Sequence, residues 1–339
     1  MRYVILGAGA IGGAIGGKLA KAGHDVVLVA RGAHLEALRR DGLELRDPDT
    51  TERLLVPAFG SVAEIGLQAG DCVILATKTQ QSGAALDDLR AVADAADDAA
   101  AARRIPIVCA QNGVENERIA LRRFPQVYGM RVVLAGSHLE PGVVEIATAP
   151  VYGLLDVGRY PTGLDAVAEE LAADLVSAGF DSRATSDVMS LKYLKLLSNL
   201  ANALQAACGT ELSSELAVSL MKAARAEARA CYAAAGITVA DESAEEVRRR
   251  LRGETLEVHG AVREGGSSWQ SLQRGTGDIE ADYLNGEIAL LGRLHGLPTV
   301  VNERLQEVAN RLARERRPPG SMTVEEVAEG LGLTAGSAP

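Results

Sequence analysis

A lysine and two asparagines line one face of a helix that the sequence predicts between residues 192 and 209. In the stretch KYLKLLSNLANALQAACG, Lys195, Asn199 and Asn202 stand four and three residues apart, the spacing of neighbours on a helix surface. A lysine ammonium can supply a proton or a fixed positive charge to an oxygen atom, and an amide can hydrogen-bond the same ligand. The face is therefore either solvated or functional. Against a solvated face, asparagine is a poor residue for a helix interior, and the helical stretch KAARAEARA from Lys222 uses Glu, Arg and Ala instead.

A glycine-rich stretch at the start of the chain has the spacing of a phosphate-binding loop. Gly7, Gly9 and Gly12 form a G-x-G-x-x-G pattern directly after a predicted strand and at the start of a predicted helix. In such a loop the first glycine permits a tight turn, the second lets the backbone approach a pyrophosphate, and the third lets helix and strand pack closely. Backbone N–H groups at the helix N-terminus then face the phosphates. A purely structural turn is the alternative, but the strand-to-helix context favours a dinucleotide site.

The end of the second predicted strand favours one dinucleotide over the other. Sites that prefer NAD usually carry Asp or Glu there, to bind the ribose 2′-hydroxyl. In the stretch VVLVARG, Ala30 is followed by Arg31, whose guanidinium can bind a 2′-phosphate through two hydrogen bonds. An exposed loop arginine without a ligand is the alternative. The sequence therefore predicts NADP(H) as the cofactor.

Two further polar residues follow predicted strands on the side where a ligand is expected. Lys78 comes after the strand in ILATKTQQS, and Asn112 comes after the strand in VCAQNGVEN. Ligands of doubly wound sheets bind outside the carboxyl ends of the strands. Taken alone, the lysine could be solvated and QNG could be only a turn. Their matching positions favour a place at the cofactor site for both.

Short apolar segments alternate with helical segments through the first half of the chain. The segments rich in β-branched residues are RYVIL, DVVLVA, DCVILAT, IPIVCA and QVYGMRVVLAG. This alternation predicts an α/β fold with a Rossmann-type, doubly wound parallel sheet. An antiparallel addition at the sheet edge is expected at 142–155, and one more strand in FDSRAT.

From Ser186 onward consecutive helical stretches replace the alternation. We therefore expect an NADP-binding domain at 1–186, an all-helical substrate and catalytic domain at 187–317, and an extension at 318–339. In the extension, Thr323 and Glu326 have the spacing of a capping box at the start of a short helix. The final TAGSAP is expected to be disordered.

Together these motifs resemble those of the ketopantoate reductase (2-dehydropantoate 2-reductase) family. The resemblance covers approximately residues 1 to 315, and no single motif carries it. Its segments are GAGAIG, VAR, TKTQQ, QNGVEN, KLLSN, GGSSWQSL and EADYLNG, followed by GRLHGLPTVVNE. The resemblance implies a Rossmann-type domain followed by a helical domain, and a reductase that uses NADPH.

The resemblance also implies roles at matching positions. The residues that would hold the cofactor pyrophosphate are Gly7, Ala8, Gly9, Ala10, Ile11 and Gly12, and Lys78, Asn112 and Ala135 would line the rest of the cofactor site. The catalytic and substrate-binding positions are Lys195, Asn199, Ser267, Ser268 and Glu280. Lys195 matches the proton donor, Ser268 matches a serine that binds the substrate carboxylate, and Glu280 matches an acidic residue near the cofactor and the catalytic lysine.

Simpler explanations stay open for several of these residues. Lys192 could take the place of Lys195, although it matches the motif less well. Ser267 and Ser268 could merely cap a helix, and Glu280 could be a surface carboxylate.

Three functional hypotheses follow. The first is NADPH-dependent reduction of ketopantoate, a small anionic 2-oxo acid, to pantoate on the route to pantothenate and coenzyme A. The second keeps the chemistry but changes the 2-oxo acid. The third is a redox sensor that binds NADP(H) without turnover, and the presence of Lys195 and Glu280 argues against it because a sensor needs no acid.

The chain departs from the family at positions that bear on the substrate. Ala203, Ser213 and Gly265 stand where relatives have asparagine. Asn202, next to Ala203, would point about 100° away around a regular helix. We therefore expect looser recognition of the ketopantoate hydroxyl.

Composition excludes several other classes of protein. A net charge of −10 argues against a nucleic-acid partner. The five histidines show no metal-ligand spacing, so no metal site is predicted, and no apolar stretch is long enough for a membrane span. We expect a cytoplasmic protein, with a homodimer left open. The cysteines are expected to be reduced and buried, and they are Cys72, Cys109, Cys208 and Cys231.

Overall fold

Two compact units make up the chain in the computed structural model, which describes residues 1–250, 255–258, 260 and 264–332. The first unit comprises Met1–Lys192 together with Asp241–Arg263, and the second comprises Tyr193–Ala240 together with Glu264–Pro339. The first contains two β-sheets with helices, whereas the described residues of the second contain helices and no strand. The predicted fold class, a Rossmann-type sheet followed by a helical region, is confirmed.

The described strands lie in the first unit. They are β1 (Arg2–Leu6), β2 (Asp25–Val29), β3 (Leu43–Arg46), β4 (Thr51–Leu54), β5 (Ala58–Phe59), β6 (Asp71–Leu75), β7 (Ile107–Cys109), β8 (Val127–Leu134), β9 (Gly136–Ser137), β10 (Val143–Ile146) and β11 (Gly153–Arg159). Seven form a main sheet in the order β11-β8-β7-β6-β1-β2-β5, and the other four described strands form a smaller sheet in the order β4-β3-β10-β9.

The main sheet is buried on both faces, which explains its continuous apolar strands. In the central strand β1, Tyr3 and Ile5 join one apolar cluster while Val4 and Leu6 join another, because successive side chains of a strand point to opposite faces. β1 pairs in parallel with β2 on one side and with β6 on the other. The carboxyl ends of these strands therefore meet at one edge of the sheet.

Helices cover the first unit and build the second. The first described helices are α1 (Ala10–Lys21), α2 (Gly32–Asp41), α3 (Thr79–Asp94), α4 (Ala99–Ala102), α5 (Asn116–Leu121) and α6 (Ala166–Ser177), with a 3₁₀ turn at Val62–Glu64. The later ones are α7 (Val188–Asn199), α8 (Asn202–Cys208), α9 (Glu215–Ala234), α10 (Glu242–Arg250), α11 (Ser267–Gln273), α12 (Asn285–His295), α13 (Val300–Arg314) and α14 (Val324–Ala328), with a 3₁₀ turn at Ala281–Tyr283.

Strand predictions near the sheet edge need correction. Within the segment 142–155, β10 leaves the main sheet and pairs in parallel with β3 in the smaller sheet, whereas β11 does pair antiparallel with β8 at the edge of the main sheet. FDSRAT contributes only isolated bridges, Asp181 to Leu154 and Ala184 to Val157, rather than a strand. The short strands β3, β4 and β5 were not predicted, because two to four residues carry too little periodicity to identify a strand.

The continuous helix expected over 192–209 is two helices. α7 ends at Asn199 and α8 begins at Asn202, with a turn at Leu200 and Ala201. The side chain of Asn285 donates a hydrogen bond to the Leu200 carbonyl oxygen (3.1 Å), so this carbonyl is satisfied outside a regular helix. The three-residue spacing of Asn199 and Asn202 therefore does not place them on one regular helical face.

The segment Asp241–Arg263 belongs to the first unit, although it lies within the range 187–317 predicted as one helical domain. Arg248 of α10 donates to both Asp156 (2.8 Å) and Asp181 (2.5 Å). Its neighbour Glu245 accepts from Arg183 (2.8 Å). These ion pairs join residues distant in sequence, which helical periodicity alone does not reveal.

The extension, which is part of the second unit, bonds the end of α8 through its backbone. The N–H groups of Gly320 and Met322 donate to the Ala206 and Ala207 carbonyls at the end of α8 (3.0 Å each). The capping box of Thr323 and Glu326 is confirmed at the start of α14. The segment TAGSAP lies outside the described residues.

Three of the four cysteines are buried and free, as predicted, but Cys208 is only half-buried. Burial raises the pKa of the Cys208 thiol to about 11, with a smaller contribution from the nearby carboxylates Glu325 and Glu326. Among the described residues, no helix combines the length and apolar composition that spanning a membrane requires.

Candidate functional site

The glycine-rich loop joins β1 to α1 in a conformation that depends on two of its glycines. Gly7 has a φ of +105°, and a Cβ there would lie 2.8 Å from the Thr77 nitrogen. A Cβ on Gly12 would overlap the Gly7 carbonyl oxygen and approach the Ile5 side chain to 2.9 Å. These two glycines are therefore required by the turn and by helix–strand packing.

Gly9 differs from Gly7 and Gly12, because neither backbone conformation nor packing requires a glycine at this position. It is the N-cap of α1 and has an ordinary φ of −77°. A Cβ built there would have no neighbour within 4 Å among the described residues. No side chain of the described chain caps this helix N-terminus. The open space and the N–H groups of the first turn thus fit a pyrophosphate approaching the backbone at Gly9.

Arg31 follows β2 and is the N-cap of α2. Its side chain is 78% exposed, and its guanidinium lies 3.7 Å from the Asp88 carboxylate. An ion pair with this exposure is weak, so Arg31 can turn to a phosphate at little cost. The position suits a 2′-phosphate, and Asp88 is the neighbour with which that phosphate would compete.

Lys78 and Asn112 both lie past the carboxyl ends of neighbouring strands, as predicted. Lys78 is the half-buried N-cap of α3, and its neighbour Thr77 faces Gly7. Asn112 is half-buried in the loop after β7. These loops are joined through Ser82, whose Oγ lies 3.2 Å from both the Thr77 hydroxyl and the Gln111 amide nitrogen.

Ala135 also lies near the glycine-rich loop. It directly precedes Gly136, and a Cβ on Gly136 would be 2.9 Å from the Ala10 carbonyl oxygen at the start of α1. The Ala135 carbonyl accepts a hydrogen bond from the Ala147 N–H (2.9 Å), which continues the pairing of β9 with β10. Ala135 and Lys78 therefore both stand next to residues that pack against the glycine-rich loop or the start of α1.

Lys195 and Asn199 lie one turn apart on α7. Lys195 is half-buried, and Asn199 is 5% exposed. The Asn199 side-chain oxygen has no hydrogen-bond partner among the described residues. A buried amide oxygen costs stability unless a water or a ligand supplies a donor, so Asn199 has an acceptor available for either.

Lys192, the alternative to Lys195, is committed to a structural ion pair. It is 3% exposed and bonds the carboxylate of Glu117, which is fully buried. Its ammonium also donates to the Gln111 carbonyl oxygen (3.1 Å). Burial raises the pKa of Glu117, and the adjacent Lys192 opposes that effect. Lys192 is thus held by hydrogen bonds within the first unit and is a poor candidate for the proton donor.

Ser267 and Ser268 open α11, but neither is its cap. Gly266 is the N-cap, so both serines lie inside the first turn. The Asn202 amide donates to the Ser267 hydroxyl (3.4 Å), and the Gln205 side-chain oxygen accepts from the Gly266 N–H (2.6 Å). Ser268 is 3% exposed. Two amides of α8 therefore bond the start of α11 at Gly266 and Ser267, contacts that the sequence alone does not predict.

Glu280 is half-buried at the start of the 3₁₀ turn Ala281–Tyr283. Its negative charge affects the pKa of Arg274, a residue that is not among the predicted site residues. Burial lowers the pKa of Arg274, and the charges of Glu280 and Asp278 partly oppose that effect. Glu280 therefore belongs to a small charged group rather than to an isolated surface position.

The three positions at which the resemblance implies asparagine, Ala203, Ser213 and Gly265, have different surroundings. Ala203 is 3% exposed in α8, whereas Ser213 is exposed next to Ser214, the N-cap of α9. Gly265 has a φ of +58°, and a Cβ there would lie 2.7 Å from Cδ2 of the Trp269 indole. The indole thus occupies the space where a side chain at position 265 would begin.

The predicted residues fall into two groups, one in each unit. The first unit holds the glycine-rich loop, Arg31, Lys78, Asn112 and Ala135, and the second holds Lys195, Asn199, Ser267, Ser268 and Glu280. Among the described residues, no group of three or more His, Cys, Asp or Glu side chains is arranged to hold a metal ion. The sequence missed the buried pair Lys192–Glu117, since only tertiary packing brings those residues together.

Comparison with known proteins places these residues in a family. The family model "Ketopantoate reductase PanE/ApbA" matches residues 3–161, and its C-terminal counterpart matches residues 187–313. The 2-dehydropantoate 2-reductase of Mesorhizobium japonicum is 31% identical over 345 residues, which cover 93% of this chain and 99% of the relative. The enzyme of the same name from Pyrococcus horikoshii is 30% identical over 201 residues, 59% of this chain and 62% of that protein.

A solved structure has the same fold over nearly the whole length. The crystal structure of a PanE/ApbA family ketopantoate reductase from Ralstonia eutropha superposes with a TM-score of 0.76 at 27% identity. The match covers 94% of this chain and 100% of that one. With both family models and a full-length relative in agreement, the chain belongs to the ketopantoate reductase family, whose members are oxidoreductases acting on a 2-oxo acid.

Proposed function

We propose that the protein catalyses the NADPH-dependent reduction of 2-dehydropantoate (ketopantoate) to pantoate, a step toward pantothenate and coenzyme A. The observation that carries the proposal is the buried amide of Asn199, which lies one turn beyond Lys195. Its side-chain oxygen has no hydrogen-bond partner among the described residues. Ketopantoate carries a hydroxyl group that could donate to this oxygen. The names of the relatives support the same substrate.

The residues of the first unit fit a dinucleotide. The pyrophosphate would be held by the backbone of the glycine-rich loop, where Gly9 leaves room. Arg31 would bind the 2′-phosphate that distinguishes NADPH from NADH, because no carboxylate stands at the end of β2 to repel it. When bound, the cofactor supplies the hydride.

The residues of the second unit would act on the substrate. Hydride addition to a ketone leaves negative charge on the oxygen, which a nearby ammonium can neutralise by charge and by proton transfer. We assign that role to Lys195. Ser268 would bind the carboxylate, and Glu280 would act near Lys195 as an acidic partner.

The proposal is tested by following the loss of NADPH absorbance with a panel of 2-oxo acids. Turnover of ketopantoate with NADPH, and much weaker turnover with NADH, is the expected result. NADPH binding without turnover of any 2-oxo acid would contradict an enzymatic role and favour a redox sensor. Equal turnover with NADPH and NADH would contradict the assignment of Arg31 to the 2′-phosphate.

A second candidate is the reduction of another small 2-oxo acid. It is favoured by one feature of the second unit, the Trp269 indole lying over Gly265 beside the serines of α11. Gly265 has no side chain that could bond a substrate hydroxyl, and the indole, whose N–H is its single donor, fills the space that an asparagine at this position would need. Turnover of apolar 2-oxo acids without turnover of ketopantoate would establish this candidate instead.

A further inference from the structure

His34 contacts the glycine-rich loop from the first turn of α2. One ring nitrogen, Nε2, lies 2.8 Å from the Ala8 carbonyl oxygen, and the other, Nδ1, lies 2.9 Å from the Gly142 N–H. Ala8 stands between Gly7 and Gly9. A single imidazole therefore joins the loop, α2 and the turn before β10.

The two contacts determine which nitrogen carries the proton. A backbone N–H can only donate, so Nδ1 accepts from Gly142 and Nε2–H donates to Ala8. Burial lowers the pKa of His34 to about 4, assisted by the ring of His138 at a centroid distance of 4.1 Å. The imidazole is therefore neutral near pH 7, with one donor and one acceptor, and both are used.

The direction of the Ala8 carbonyl matters for phosphate binding. In a trans peptide the C=O of one residue and the N–H of the next point in opposite directions. Holding the Ala8 carbonyl toward α2 therefore turns the Gly9 N–H the other way. The preceding part of the loop is already fixed, since the N–H groups of Gly7 and Ala8 both donate to the Val29 carbonyl (3.2 and 3.0 Å).

We propose that His34 is a positioning residue for the cofactor: by holding the Ala8 carbonyl, it orients the Gly9 N–H toward the pyrophosphate. This inference rests on the proposed function, because it assumes that the loop binds a dinucleotide. The same residue also links the loop to α2, whose N-cap is Arg31. His34 would act through Ala8 without touching a phosphate itself.

Two substitutions separate the two hydrogen bonds. The amide nitrogen of His34→Gln can reach the place of Nε2 and keep the bond to Ala8, whereas the amide oxygen of His34→Asn can replace Nδ1 and keep only the bond to Gly142. NADPH affinity is measured by fluorescence titration, and thermal unfolding of each variant is recorded in parallel. For His34→Asn we expect the Kd for NADPH to rise about tenfold, the worth of one hydrogen bond, with kcat at saturating NADPH nearly unchanged. For His34→Gln we expect a Kd within about threefold of the unaltered protein.

A role confined to folding would give a different pattern. It would lower the melting temperatures of His34→Asn and His34→Gln but give both variants the same Kd for NADPH. Equal Kd values for the two variants would therefore overturn the inference. If His34→Asn does not fold, the ring of the unaltered protein is observed by ¹⁵N NMR. An Nε2–H tautomer whose resonances shift on NADPH addition supports the inference, and an Nδ1–H tautomer overturns it. Failure of the unaltered protein to bind NADPH would instead contradict the proposed function.

Discussion

Lys192 and Lys195 lie three residues apart on α7 and differ in what surrounds them. Lys192 is buried and bonded to Glu117 and to backbone carbonyls, so it can neither approach a substrate nor release its proton without leaving Glu117 unpaired. Lys195 is half-buried and shares its helix with Asn199, whose amide oxygen has no partner in the described part of the chain. A structural task therefore falls to Lys192, and the proposed proton donor is Lys195.

Replacing Lys195 with alanine is expected to lower kcat by roughly 10²–10⁴, the usual contribution of a positioned general acid. The Kd for NADPH should change little, because Lys195 is not among the residues proposed to bind the pyrophosphate or the 2′-phosphate, which lie in the first unit. Steady-state kinetics and a fluorescence titration measure the two quantities on the same preparation.

Lys192→Ala serves as the matched control. It leaves the Glu117 carboxylate buried and unpaired, so we expect a loss of about 3–5 kcal/mol in the free energy of unfolding. A folded Lys192→Ala protein with a greater loss of kcat than Lys195→Ala would show that the proton donor has been misassigned.

Arg31→Ala is expected to weaken NADPH binding at least tenfold while leaving the Kd for NADH within about twofold, because charge-assisted bonds to a phosphate are worth roughly 1.5–3 kcal/mol. Only NADPH carries the 2′-phosphate. Asp88→Asn, which removes the carboxylate 3.7 Å from Arg31, is the companion variant and should tighten NADPH binding slightly. Parallel losses for both cofactors in Arg31→Ala would refute this role.

His34 predicts a pH dependence of stability in the cofactor-free protein. Its pKa is about 4 in the folded state, against 6.5 for a histidine exposed to water, so between these values the unfolded chain binds a proton that the folded chain does not. The free energy of unfolding should therefore fall as the pH is lowered from 6.5 to 4. Urea denaturation at several pH values should show a shallower slope for His34→Gln, and an unchanged slope would contradict the prediction.

At the scale of secondary structure, the loop between β1 and α1 combines two kinds of glycine. Gly12→Ala is expected to destabilise the protein, because the added Cβ meets the Gly7 carbonyl and the Ile5 side chain. Gly9→Ala should keep the melting temperature, because the described residues leave space around its Cβ, yet raise the Kd for NADPH about tenfold or more, since that space would be taken by pyrophosphate. Thermal unfolding and NADPH titration distinguish the two, and full NADPH affinity in Gly9→Ala would exclude a phosphate at this position.

The break between α7 and α8 changes what the asparagines do. On one continuous helix Asn202 would have stood beside Asn199 and Lys195. In the folded chain Asn202 begins a new helix and donates a hydrogen bond to Ser267. The side-chain amide of Asn285 donates to the Leu200 carbonyl oxygen. The hydrogen bond from Asn202 therefore goes to Ser267, and the Asn199 oxygen, which no described residue satisfies, would be available to the proposed substrate.

At the scale of the whole molecule, we expect the substrate preference to depend on positions 203 and 265, where the family resemblance implies asparagine and this chain has Ala203 and Gly265. A site that hydrogen-bonds a substrate hydroxyl rejects an analogue without it by about 10⁴ or more. Ala203 and Gly265 supply no side-chain hydrogen bond, and Trp269 covers Gly265. We therefore expect kcat/KM for ketopantoate to exceed that for 2-oxoisovalerate by less than about 10⁴.

Ser268→Ala is the control for this comparison. Both substrates carry the carboxylate that Ser268 is proposed to bind, so the variant should lower both values of kcat/KM by a similar factor. A preference for ketopantoate above about 10⁴ in the unaltered enzyme would mean that Asn199, alone or with other groups, recognises the hydroxyl fully without amides at positions 203 and 265.

Much of this protein follows from local sequence. Backbone conformation and hydrophobic periodicity over a few residues are encoded locally. They suffice to predict the glycine-rich turn after β1, the β-branched strands and the position of Arg31 at the end of β2. The α/β architecture and the capping box at Thr323 follow for the same reason.

Only the tertiary structure decided which polar groups are already satisfied. The pairing of Lys192 with Glu117, the hold of His34 on Ala8 and the placement of α10 with the first unit each join residues far apart in sequence. The end of α7 at Asn199 depends likewise on Asn285, which lies 85 residues beyond Leu200. The sequence could nominate Lys195 and Asn199 as residue types suited to the chemistry. Whether each group keeps a hydrogen-bonding atom for a ligand depends on long-range contacts, because burial and partners are set by the packing of the whole chain.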